Sequence, residues 1–92
     1  MTLKIFSVLD TKADAFMPPF FFNTTGQAVR AFKELANDPS SSPCRHPGDF
    51  RLFCLGTFDD ATGRVSALDQ VEPLGYASDY KDLASTPIGV RP

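Results

Sequence analysis

The hydrophobic positions predict the elements. Leu3 to Leu9 sets the β-formers Ile5, Phe6 and Val8 among polar Lys4 and Ser7, and Asp10-Thr11-Lys12 closes the run, which predicts a strand. Ala28, Val29, Phe32, Leu35 and Ala36 recur at the spacing of one helical face, with Arg30, Lys33 and Glu34 on the outer side. Thr24 or Thr25 is placed to cap this helix. Asn37-Asp38-Pro39 ends it, because a proline pushes the residue before it out of the helical region. Phe50 to Phe58 alternates: Phe50, Leu52, Cys54, Gly56 and Phe58 share one face, and Arg51, Phe53, Leu55 and Thr57 the other. Both faces carry apolar residues, so this is the central strand, with the helix covering one side. Asp59 to Gly63 reads as a hairpin loop, with Gly63 supplying a positive φ, and Arg64 to Gln70 as a shorter returning strand.

Two segments break these periods. Asp14 to Asn23 contains Phe16-Met17-Pro18-Pro19-Phe20-Phe21-Phe22, where adjacent prolines forbid a helix or a central strand and impose an extended path. Its phenylalanines must lie over the core as a lid or form a partner surface. From Glu72 onward prolines, glycines and two tyrosines read as an extended arm. The expected fold is therefore α+β: a small, mostly antiparallel three-stranded sheet with one packed helix and an extended C-terminal arm. One domain spans 1–70, and an acidic, proline-containing arm spans 71–92. Such a sheet leaves edges unpaired and phenylalanines in surplus, so a homodimer is expected, with Phe16, Pro18, Pro19, Phe20, Phe21 and Phe22 as its protein interface or with the C-terminal arm crossing it.

Composition narrows the chemistry. Ninety-two residues with nine Phe make one domain whose core needs no staple of metal or disulfide. Cys44 and Cys54 lie in different predicted elements, and one such pair without a signal segment gives little reason to expect a disulfide. Nothing approaches the apolar length of a membrane span. The net charge of −2 counts against a generically basic nucleic-acid binder. Residues 1–68 balance seven Lys/Arg against seven Asp/Glu, so the acidity sits in the last quarter.

No enzymatic constellation assembles. Cys44 and His46 stand two apart in a proline-flanked loop with nothing to orient a base. Cys44, His46 and Cys54 lack a fourth zinc ligand, and Asp49 with Asp59-Asp60 lacks a calcium-loop spacing. No phosphate-binding glycine loop is present. The expectation is a non-enzyme with no cofactor and no metal. Binding of single-stranded nucleic acid needs cations for phosphates and rings for bases. The candidates are Arg30 and Lys33 on the helix, Arg45 and His46 in the loop, Arg51 and Phe53 in the central strand, and Arg64 after the hairpin.

Several blocks, in order, resemble the small nonstructural protein of gokushoviruses, single-stranded DNA phages of the Microviridae. They are Phe6-Ser7-Val8-Leu9-Asp10-Thr11-Lys12-Ala13-Asp14-Ala15-Phe16, Pro18-Pro19-Phe20, Ala28-Val29-Arg30-Ala31-Phe32, Asn37-Asp38-Pro39, His46-Pro47-Gly48-Asp49-Phe50 and Leu52 through Gly63. The resemblance offers no matching block beyond Val65. The resemblance implies a protein of the host bacterial cytoplasm that binds single-stranded DNA without sequence specificity, in the switch to single-stranded genome synthesis or packaging. It carries over no catalytic residues. The alternative is a dimeric adaptor that binds a phage replication or capsid protein, or a host protein, through its Phe-rich segment.

Overall fold

The structure is a computed structural model, and it describes residues 1–82. Five strands form one antiparallel sheet: β1 (Thr2–Asp10), β2 (Ala15–Phe16), β3 (Phe20–Phe22), β4 (Phe50–Asp59) and β5 (Arg64–Tyr76). The order is β2-β1-β4-β5, with β3 also paired to β1. Helix α1 spans Thr25–Ala36, a one-turn α2 spans Ser42–Arg45, and 3-10 turns occupy Pro47–Asp49 and Ala77–Tyr80. The α+β class holds.

The sheet has five strands where three are expected, and the extra two come from the Phe-rich segment. The proline pair bars a central strand but not an edge. On either side of it the chain is free to pair, so β2 and β3 hang in succession on the same edge of β1, through Leu9 opposite Phe16 and Ile5 opposite Phe21. Pro18 and Pro19 have no N–H to give. The gap is bridged by Met17 N–H donating to the Val8 carbonyl at 2.8 Å and by the Ser7 hydroxyl donating to the Met17 carbonyl at 2.6 Å. Ser7 is fully buried, and that bond satisfies it.

Helix α1 begins with a capping box: Thr24 Oγ1 accepts from Gln27 N–H, and Gln27 Oε1 accepts from Thr24 N–H. Its Ala28, Phe32 and Ala36 pack on Phe6, Val8, Phe50, Leu52 and Cys54, the inner face of the sheet. Phe20 and Phe22 join this side, with the Phe6 and Phe20 rings stacked at 6.0 Å and Phe20 edge-on to Phe22 at 5.8 Å.

One irregularity inverts the alternation of β4. Phe6 pairs with Cys54 but Ile5 pairs with Gly56, so Leu55 is an extra residue in the ladder. Beyond this bulge the faces swap. Phe58, expected beside Phe50, Leu52 and Cys54, stands on the opposite face, its ring 5.9 Å from that of Phe21. The Gly56 backbone accepts a close approach by β5, since a Cβ there would lie 2.2 Å from the Ser66 carbonyl oxygen.

Strand β5 runs to Tyr76 rather than stopping at Gln70. Opposite Leu55 it bulges through Leu68–Val71, because Cys54 pairs with Glu72 while Gly56 pairs with Ala67. After it the chain folds back: Ala77 is buried, and the Tyr80 ring meets Phe32 edge-on at 5.9 Å while its hydroxyl donates to the Leu74 carbonyl. Residues 71–80 of the expected arm thus belong to the sheet and to the turn packed under α1, and Asp82 just after them donates its N–H to Asn37 Oδ1 at 2.8 Å. The remainder, 83–92, lies outside the described residues.

Candidate interaction surface

Sheet periodicity gives each strand two faces, and α1 covers only one. The outer face is apolar almost throughout. One row across it reads Phe21, Ile5, Gly56 and Ala67, strand by strand in hydrogen-bonded register. Around this row lies a hollow of about 300 Å³ lined by Ile5, Pro19, Phe21, Leu55, Val65 and Ala67. Phe21 is 47% exposed and Val65 65%, while Ile5 beneath them is buried. Half-exposed Phe16 and Met17 continue the surface toward the start of β4. Contiguous exposed apolar area of this kind marks a binding surface on a small protein.

At that end the outer face carries a charge, since Arg51 pairs with Leu9 on one side and Tyr76 on the other. The Arg51 guanidinium lies 5.3 Å from the Phe53 ring centroid and 4.9 Å from that of Tyr76, within cation–π range of both. Its Nε is buried without a hydrogen-bond partner. Phe16 packs edge-on against Phe53 at 5.4 Å, which leaves Phe53 only 7% exposed. Phe53 therefore offers no free ring face. The partly exposed ring in contact with Arg51 is Tyr76, and half-exposed Phe16 lies beyond Phe53.

The other expected nucleic-acid contacts are spread over the molecule. Arg30 and Lys33 project from the outer side of α1, Arg30 3.9 Å from Glu34 and Lys33 3.3 Å from Asp82. Exposed Arg45 donates to the Ser40 carbonyl at 3.0 Å, and His46 is exposed at the end of α2. Arg64 lies opposite Asp59 at the hairpin, at the far end of β4 from Arg51, about 26 Å away by strand rise. Around α1, α2 and the last turn, Arg30, Lys33, Arg45 and Lys81 are matched by Glu34, Asp38, Asp49, Asp79 and Asp82. The structure does not gather the cations into one patch.

The expected protein interface divides as well. Phe20 and Phe22 turn inward, whereas Phe16, Pro19 and Phe21 belong to the outer face. Sequence reading missed Ile5, Leu55, Val65 and Tyr76. The signal available for them was the double-sided apolar character of the first and central strands.

The loop chemistry is structural. Cys44 Sγ has Lys81 Nζ at 3.3 Å, and the Cys44 N–H donates to the Ser41 hydroxyl that caps α2. Both cysteines are free. Asp38 accepts from the N–H and hydroxyl of Ser40, which holds its carboxyl below the ordinary value. The Met1 ammonium donates to Asp60 at 2.8 Å, and that bond raises the amino-group pKa. Among the described residues no group of three His, Cys, Asp or Glu is placed to hold a metal, and no helix is long and apolar enough to cross a membrane.

The family described as Phage ORF5 protein matches residues 3–80, and the chain belongs to that family of phage proteins. No curated protein and no solved structure matches it.

Proposed function

We propose that this phage ORF5 family protein acts by non-catalytic protein binding through the outer face of its sheet. The observation that carries the reading is the uncovered apolar row of Phe21, Ile5, Gly56 and Ala67 with its hollow. Exposed rings and aliphatic groups lose surface to water only against another apolar surface, and interface cores are enriched in aromatics and Met and depleted in charge. One arginine among these residues is too little positive charge to hold a run of phosphates. This is the adaptor role, a phage or host protein being the partner class, with Phe16 and Phe21 as anchors.

A second reading keeps single-stranded DNA as the ligand, in the switch to genome synthesis or packaging that the gokushovirus resemblance implies. It is favoured by one spot, where the Arg51 guanidinium lies over the half-buried Tyr76 ring and over Phe53, against which half-exposed Phe16 packs, a cation beside rings that bases stack on.

One experiment separates the two. A photo-crosslinking phenylalanine analogue is placed at position 21, or at position 30 as control, in cells producing the phage. Protein adducts from position 21 and none from position 30 are the expected result. A titration of fluorescent oligo-dT at two salt concentrations completes it. Binding that falls steeply with salt and weakens with Arg51→Ala, with no protein adduct from position 21, overturns the protein-binding reading in favour of DNA.

A further inference from the structure

We infer that the occupant of the outer sheet face is a second copy of this chain, stacked face to face about a two-fold axis along the row of Phe21, Ile5, Gly56 and Ala67. The inference rests on the protein-binding reading and names its partner.

Area is the first argument. Three strand positions about nine residues long, and the five residues of β2 and β3 on the β1 edge, at about 3.3 Å per residue and about 4.8 Å between strands give a face of roughly 500 Å². Two copies together bury about 1,000 Å², which reaches the size that a specific interface needs. Stacked sheets lie about 10 Å apart with their inner side chains interdigitated, which suits half-exposed Phe21 and Val65 bordering a hollow of about 300 Å³.

Charge placement selects the axis. Arg51 stands at one end of β4, and the Asp59–Asp60 turn at the other. Gly56, with its row, lies between them near the middle of β4, four register steps from Arg51 and three from Asp59 along β1. A two-fold along that row reverses the strand direction of the second copy. The two Arg51 side chains then lie about 30 Å apart, well beyond the roughly 8–10 Å screening length, so like charges never meet. Each Arg51 instead faces the other copy's turn, where the Asp59 and Asp60 carboxylates balance the Met1 ammonium and Arg64. A two-fold parallel to the strands would put Arg51 on Arg51. The chosen axis also brings each residue of the row onto its own counterpart, Phe21 on Phe21 at the β3 edge and Ile5 on Ile5 further in, giving an isologous apolar contact.

The test uses the full chain. Sedimentation velocity from about 1 to 100 µM should show a monomer–dimer equilibrium. Phe21→Asp should weaken it at least 100-fold with the far-UV circular dichroism unchanged, and Arg30→Glu should leave it intact. A monomer throughout overturns the inference. In that case position-21 adducts with a different protein would leave the docking reading standing, and their absence would remove both. A dimer that survives Phe21→Asp also overturns the inference. For the axis, a spin label at Thr62→Cys in a Cys44→Ser background is mixed with isotope-labelled, unmodified chain. Broadening of the Arg51 and Tyr76 amides is expected; broadening confined to the labelled chain's own hairpin turn, 59–64, overturns the antiparallel arrangement.

Discussion

Replacing Gly56 by alanine tests the bulge that shapes the outer face. The added Cβ would lie 2.2 Å from the Ser66 carbonyl oxygen, 3.0 Å from Ala67 Cα and 3.1 Å from the Ser66 carbonyl carbon. All three are backbone atoms, so no side chain can rotate away, and β5 must move by about 1 Å to restore van der Waals contact. Overpacking of this kind costs about 1–3 kcal/mol. Against it, alanine narrows the unfolded ensemble and returns about 0.4–1 kcal/mol. The expected net loss is about 1–2 kcal/mol. For a domain of this size that lowers Tm by about 5–15 °C. Urea unfolding followed by circular dichroism, at one low protein concentration so that association does not contribute, reads the difference. Gly48→Ala is the control, because a Cβ there meets nothing within 4 Å. Stability of Gly56→Ala within about 0.5 kcal/mol of the parent would refute the close approach of β5 and with it the register of the outer face.

Thr24→Ala removes one half of the capping box and should cost about 1 kcal/mol, read by the same urea titration; Thr25→Ala, one residue inside the helix, should cost less. The depressed Asp38 carboxyl contributes stability above its unfolded value of 3.8 that fades as pH falls through its lower folded pKa. Asp38→Asn should therefore flatten that part of the acid limb, and an NMR titration should place Asp38 below an ordinary aspartate. Half-exposed Cys44 should react with a thiol reagent in the native protein, whereas buried Cys54 should react only on unfolding. Equal rates for the two would contradict the packing of β4 against α1. Phe32→Ala should cost about 3–5 kcal/mol, since this ring fills the contact between α1, the sheet and Tyr80.

Local patterns determined much of this molecule. The stripe from Ala28 to Ala36 specified α1 because helical period and burial coincide there, and Thr24 with Gln27 carried its start. The hairpin at Asp59 to Gly63 followed from the positive φ that Gly63 adopts. The extended path of the Phe-rich segment followed from two prolines. What tertiary structure decided was pairing. Whether Phe16 and Phe20–Phe22 become a lid or strands depends on β1 having a free edge, which no local pattern records. Leu55 looks like any alternating strand residue, yet its bulge moves Phe58 and Gly56 to the outer face, because register is set by partner strands distant in sequence. The cations were legible one by one, but their separation was not, since the curl of the chain and not its order sets the distance between Arg51, Arg64 and α1. The sheet's apolar outer face exists for the same reason: one helix covers one side, and the second side's residues come from all five strands.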